Sequence, residues 1–317
     1  MKSRIPFGPV PSRRLGKSLG INNIPPKICT YSCVYCQVGK TCNLSIERKE
    51  FYKVEEIKNQ VSKKVEQLKK LKEKIDFLSF VPDGEPTLDI NLGKEIESLK
   101  DFGIPIAVIT NGSLINSADV ERDLSKADWV SIKIDAVSER IWKRVNRPHP
   151  DLSLKKILKG ISEFSNKYKG SFNTETMLID GINTDKKQIN KIADFIGTLK
   201  IDKAYISIPT RPPASKSAKV PDEETINIAY NLFTKKISNV ELLTGYSPIE
   251  FPKTTDVRKE ILDITSVHPM REEDISNILS KAGKNWDTAE DLLRKGDLKM
   301  VKFDNHKFFL RSFKRSF

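Results

Sequence analysis

Three thiols fall within eight residues, Cys29-Thr-Tyr-Ser-Cys33-Val-Tyr-Cys36, spaced C-x3-C-x2-C. A loop that short wraps one face of a compact inorganic group and cannot bridge distant parts of a fold. Cysteine thiolates are the usual ligands of iron–sulfur clusters. A four-iron cubane takes four ligands, so three cysteines leave one iron open to something other than protein. Ferredoxin-type runs are tighter and end in Cys-Pro; here the remaining cysteine, Cys42, precedes Asn43. A four-thiolate zinc knot using Cys29, Cys33, Cys36 and Cys42 is the competing reading, although structural zinc usually takes two separated pairs. Disulfides fit less well, because the start, Met1-Lys-Ser-Arg-Ile-Pro, carries no apolar leader.

With Tyr35 directly before the last cysteine, the loop resembles the cluster loop of the radical S-adenosylmethionine (SAM) enzymes. Phe7-Gly-Pro-Val-Pro-Ser-Arg-Arg14-Leu-Gly16 leads into it, and Gly84-Glu85-Pro86, Thr110-Asn111-Gly112-Ser113 and Asn146-Arg147-Pro148 follow. Together these are similar to the iron–sulfur oxidoreductases related to the tRNA wyosine-base synthases. The resemblance implies a [4Fe-4S] cluster on Cys29, Cys33 and Cys36, with SAM on the open iron. Its implied activity is reductive cleavage of SAM to methionine and a 5′-deoxyadenosyl radical, with an external electron donor such as ferredoxin or flavodoxin. Wyosine synthases carry extra cysteines for a second cluster, and this chain has four cysteines in all.

The same resemblance suggests cofactor contacts. The backbone carbonyls at Gly84, Glu85 and Pro86 would accept from the SAM amino group, where glycine allows close approach; a plain turn is the alternative. Asn111 would meet the ribose or the methionine carboxylate. Lys133 and Asp135 stand two apart in a strand-like run, which puts them on one face. Glu175 would accept from a ribose hydroxyl, the alternative being an exposed edge position. Arg13, Arg14 and Arg147 are candidate anion clamps, since guanidinium forks match carboxylate and phosphate. His149, His268 and His306 are scattered and suggest no histidine metal site. No residue is assigned as catalytic.

These residues need a scaffold that brings distant segments together. Apolar residues at Ile57, Val61, Val65, Leu68 and Leu71 follow helical spacing and predict a helix over 54–74. Strands are expected at 18–22, 76–81, 106–110, 129–135, 173–179, 204–208 and 240–243. Helices are expected between them, at 92–100, 118–124, 138–145, 154–168, 186–199 and 222–235. Such alternation predicts an α/β protein with a parallel sheet. The resemblance makes it an open partial (β/α)6 TIM-type barrel, and in parallel barrels chemistry sits at the C-terminal strand ends. Gly84, Asn111, Lys133, Glu175 and Arg211 all fall there.

After Pro252 the pattern changes. Helices at 257–264, 271–279 and 287–295 and a hairpin over 298–313 predict a small winged helix–turn–helix domain, giving a division into 1–250 and 254–317. Lys299, Lys302, Lys307, Arg311, Lys314 and Arg315 make the hairpin basic. The net charge of +13 favours a polyanionic partner such as RNA, or simply a well-solvated surface. No apolar run reaches the ~18–20 residues of a membrane span, so a soluble, cytoplasmic protein is expected. Three readings follow: radical chemistry on tRNA or another RNA; radical chemistry on a protein or peptide, including glycyl-radical activation; and a non-catalytic zinc-stabilised nucleic-acid binder.

Overall fold

The computed structural model describes residues 5–244 and 256–312. In chain order the barrel portion opens with β1 (Pro6–Ser12), β2 (Gly16–Ile21), β3 (Ile28–Cys29) and β4 (Asn43–Leu44). Next come α1 (Val54–Lys70), β5 (Phe77–Phe80), α2 (Leu92–Leu99), β6 (Ile106–Thr110), α3 (Ala118–Leu124) and β7 (Trp129–Lys133). After these stand α4 (Glu139–Val145), α5 (Leu154–Lys167), β8 (Ser171–Met177), α6 (Lys186–Gly197), β9 (Lys203–Ser207), α7 (Glu223–Thr234) and β10 (Val240–Leu243).

Eight strands form one sheet in the order β1-β2-β5-β6-β7-β8-β9-β10. From β2 to β10 every neighbouring pair is parallel, and β1 joins β2 antiparallel at the edge. The sheet is an open, curled half-barrel rather than a bare set of six units. The extra strand β1 was not expected, because its sequence PFGPVPS holds three prolines. Proline cannot donate to a ladder and is confined to edges, which is where β1 lies.

The helices cover the outside. α1 buries Ile57, Val61, Val65 and Leu68, with Glu55 and Glu56 in its first turn and Lys69 and Lys70 in its last, matching the helix dipole. Asp185 caps α6 by accepting from the N–H groups of Lys187 and Gln188, a contribution of about 0.5–2 kcal/mol. Inside the curl, Leu15, Ala107, Trp129, Tyr205 and Leu243 pack as a separate apolar floor. Leu15 comes from the β1–β2 turn, and Arg13 of the same turn donates to the Leu243 carbonyl at 3.0 Å. That turn therefore links the two open edges of the sheet.

The remaining elements are α8 (Val257–Val267), β11 (Met270–Arg271), α9 (Glu272–Lys281), α10 (Asp287–Arg294), β12 (Leu298–Phe303) and β13 (His306–Arg311). The three strands form a small sheet, β11-β13-β12. Asp304 and Asn305 both take positive φ, the geometry of a tight hairpin turn. The core of this unit includes Phe7 and Val10 of β1 beside Ile261, Ile264, Met270, Ile278 and Phe309. The boundary expected between 250 and 254, and the basic residues Lys314 and Arg315, lie outside the described residues. Among the described residues no helix is long and apolar enough to cross a membrane.

Candidate cofactor site

The cysteine loop is clamped from three sides. Strand β3 lies against the chain after β5, where the Glu85 N–H donates to the Ile28 carbonyl at 3.1 Å. A methyl group added at Gly84 would overlap that carbonyl oxygen and the Ile24 side chain, so only glycine permits the approach. On the other flank the segment after α4 takes over. Ser32 N–H donates to the Asn146 carbonyl at 3.0 Å, Val34 N–H to the Val145 carbonyl at 2.9 Å, and His149 N–H to the Thr30 carbonyl at 2.9 Å. From above, Ser215 N–H donates to the Val34 carbonyl at 2.9 Å.

All three thiols line one cavity of about 420 Å3, and Cys42 is exposed away from it. That volume is within the ~300–1,000 Å3 of small-molecule sites. The three cysteines are free thiols. Burial pushes the Cys33 thiol up to about 12, helped by the Asp135 carboxylate, and raises Cys29 and Cys36 as well. Yet the loop and the segments that clamp it aim N–H donors at two of these sulfurs. Asn111 Nδ2 stands 3.6 Å and Tyr31 N 3.5 Å from Cys29 Sγ, and Asn146 Nδ2 3.5 Å from Cys33 Sγ. Backbone N–H groups of Val38 and Gly39 favour ionised Cys36. A neutral thiol is a weak acceptor. These donors suit thiolates, which a bound metal cluster would create by displacing the protons.

Among the described residues no three His, Cys, Asp or Glu side chains are gathered to hold a metal ion. A cluster does not require that convergence, since each thiolate would meet a different iron. The donor set fits a three-cysteine cluster and does not assemble the four-thiolate zinc knot.

Glu85 is a brace. Its carboxylate accepts from Thr110 Oγ1 at 2.5 Å, Thr87 Oγ1 at 2.7 Å and the N–H of Asn111 at 2.8 Å. Burial raises its pKa, and these bonds oppose the rise. The bond to Asn111 sets that residue's direction, and Asn111 Nδ2 then donates to Thr30 Oγ1 at 2.8 Å beside Cys29. Gly112, at φ +70°, completes the turn where any side chain would strike Ile132. The carbonyls of Glu85 and Pro86 already accept from Leu88 N and Asp89 N. Thr-Asn-Gly thus holds the cysteine loop.

Strand β7 ends at Lys133, so the expected alternation stops short of Asp135. Lys133 faces the cavity; Asp135 is 2 % exposed and sits behind Tyr35. Asp135 accepts from the Tyr35 hydroxyl, from Asn146 Nδ2 at 2.7 Å and from the Met177 N–H at 2.8 Å. The Lys133 ammonium lies over the Tyr35 ring, 5.0 Å from its centre. Glu175 lies in the cavity wall with both oxygens engaged: Lys133 Nζ at 2.9 Å and Ser207 Oγ at 2.8 Å on one, Arg14 on the other. It is buried in β8 and does not sit at an exposed edge. Burial alone would raise its pKa; the Arg14 and Lys133 cations overcome that and hold it well below the usual carboxylate range.

That balance predicts a large stability effect. Glu175→Gln leaves two half-buried cations without their buried carboxylate and should cost about 3 kcal/mol, the lower end for breaking a buried pair. A lower urea midpoint for the variant checks it. Because the native pKa is depressed, the contribution is full above the ordinary glutamate value and fades as pH falls below it.

Sequence reasoning missed several participants. Asn146, and not the exposed Arg147, is the member of Asn-Arg-Pro that reaches the site. Asp83, its pKa raised by burial to about 6 against the pull of Lys27, also lines the cavity. His268 reaches the same cavity from the C-terminal unit, and nothing local in the sequence marks it.

The sequence model of the Radical SAM superfamily matches residues 23–196. The UPF0026 protein MJ1312 of Methanocaldococcus jannaschii is 48% identical over 312 residues, covering 98% of this chain and 97% of that one. A UPF0026 protein of Helicobacter pylori is 37% identical over 226 residues, covering 70% of this chain and 71% of its own. A solved radical SAM methyltransferase from Sphaerobacter thermophilus superposes with a TM-score of 0.54 at 14% identity, over 73% of this chain and 67% of that one, which shows a shared partial-barrel fold. A clamped three-cysteine loop at the mouth of an open half-barrel, matched by the family over more than half the chain, makes this protein a radical SAM enzyme, a member of the radical SAM superfamily.

Proposed function

We propose that the enzyme cleaves SAM reductively at a [4Fe-4S] cluster on Cys29, Cys33 and Cys36 and uses the product radical to modify an RNA, tRNA first. The observation that carries the first half is the convergence of three free thiols and their N–H donors on one cavity. When bound, the reduced cluster supplies the electron that breaks the SAM carbon–sulfur bond. The chain's own residues would prepare for it. Asn111 and Tyr31 would donate to Cys29, and Asn146 to Cys33, once cluster binding had displaced the thiol protons, and the strand ends around Gly84 would receive the cofactor. Arg14 and Lys133 present a cationic floor tempered by Glu175. A ferredoxin or flavodoxin would deliver the electron from outside.

The RNA half rests on charge, on the C-terminal elements and on the motif resemblance to the wyosine-base synthase branch. The order helix, short strand, two helices, hairpin supports reading 256–312 as a winged helix–turn–helix domain. Lys299, Lys302 and Lys307 are exposed on its hairpin, although Lys307 also pairs with Glu272 at 3.1 Å. Arg311 turns inward, donating to the Leu262 carbonyl at 3.3 Å. In α10, Asp291 is covered by Arg258, Arg294 and Lys295, so the acidic third helix is partly neutralised.

Phosphate contacts release counterions, and affinity then falls with salt at a log–log slope of roughly −0.7 to −0.9 per neutralised phosphate. Wild type should bind tRNA at low salt with such a slope, and replacing Lys299, Lys302 and Lys307 together by Ala should flatten it. Filter binding across a salt series checks this. Identical curves, or no tRNA binding by wild type, would reject the RNA reading and favour a polypeptide substrate.

A further inference from the structure

The C-terminal unit reaches the cysteine loop through two side chains. His268 follows α8, and its backbone N–H closes that helix on the Ile264 carbonyl at 2.8 Å. The helix is fixed at its other contacts. Glu260 pairs with Lys64 of α1 at 2.8 Å, and Ile261 and Ile264 pack in the core shared with Phe7 and Val10. Its end therefore delivers His268 to a set place on the cavity wall.

There, His268 Nε2 lies 2.6 Å from Arg211 Nη2. A guanidinium has no acceptor. The imidazole must accept, so its proton is on Nδ1 and the ring is neutral. Burial first, and the Arg211 charge second, both oppose its protonation. The other arm of Arg211 donates from Nη1 to Gln37 Oε1 at 3.3 Å, and Gln37 directly follows Cys36. Arg211 belongs to the chain after β9, the same stretch whose Ser215 holds Val34.

We propose that His268 is a positioning residue of the reaction centre: it fixes Arg211 against Gln37 and so couples the C-terminal unit to the cysteine loop. The proposal rests on the cavity being the cofactor site and is independent of the RNA reading. One consequence is that a macromolecule docked on the C-terminal unit would have a direct route to the last cluster ligand. A second is that the acceptor atom, rather than the imidazole's size or charge, is what matters.

The test compares His268→Leu, which keeps bulk and removes the acceptor, with His268→Gln, which keeps an acceptor. Arg211→Gln cuts the same link without touching the C-terminal core. Amide hydrogen exchange is read on the full chain before cluster loading, over 33–39 and over α8. His268→Leu and Arg211→Gln should speed exchange in 33–39 by about tenfold, the loss expected for one charge-assisted bond, while His268→Gln stays near wild type. After reconstitution, the electron paramagnetic resonance spectrum of the reduced cluster should shift in the first two variants and not in the third. Wild-type exchange over 33–39 in both His268→Leu and Arg211→Gln would overturn the proposal. So would a His268→Gln variant as perturbed as His268→Leu, because the acceptor would then not be the determinant.

Discussion

Replacing Cys29, Cys33 or Cys36 singly by Ala should abolish the iron–sulfur cluster, and Cys42→Ala should leave it intact. Wild type reconstituted without oxygen is expected to hold about four irons and four sulfides per chain, the content of one cubane, and each of the three variants close to none. The contrast follows from placement. The first three thiols line the cavity, and Cys29 and Cys33 also have side-chain amides aimed at their sulfurs, whereas Cys42 is exposed outside it. With two thiolates left, a loop this short has no further cysteine to recruit. Iron and sulfide assays on the four variants decide the matter. Stoichiometric zinc in wild type, or loss of the cluster in Cys42→Ala, would contradict the assignment.

Much of the barrel was legible because its signals are local. Helical spacing at Ile57, Val61, Val65 and Leu68 gave α1, and the strand-like stretches at 106–110 and 240–243 gave β6 and β10 at the observed bounds. β1 was not legible: proline normally argues against a strand, and only the sheet edge makes it tolerable. Strands β3 and β4 are two residues each, held by tertiary contacts that no propensity reports.

The site was legible in composition more than in role. The cysteine spacing and the motifs at 84–86, 110–113 and 146–148 lie on segments that the structure brings together around the cysteine loop. Their side chains turn out to spend their hydrogen bonds on each other. Glu85, Asn111, Asp135 and Asn146 form the cradle of the cysteine loop, and Glu175 forms an ion cluster with Arg14 and Lys133. Pairings across 161 residues for Arg14 and Glu175, or 57 for Arg211 and His268, depend on how the sheet curls. A one-dimensional pattern holds no trace of them.

On the proposed function, this cavity breaks the SAM carbon–sulfur bond by one-electron reduction. Reconstituted protein, given SAM and a strong reductant without oxygen, should release 5′-deoxyadenosine and methionine slowly even with no substrate present. Cys29→Ala, lacking the cluster, should release neither above background. Chromatography of the products is the direct measurement. 5′-Deoxyadenosine that requires both cluster and reductant is the predicted result; methylthioadenosine or S-adenosylhomocysteine alone would contradict it.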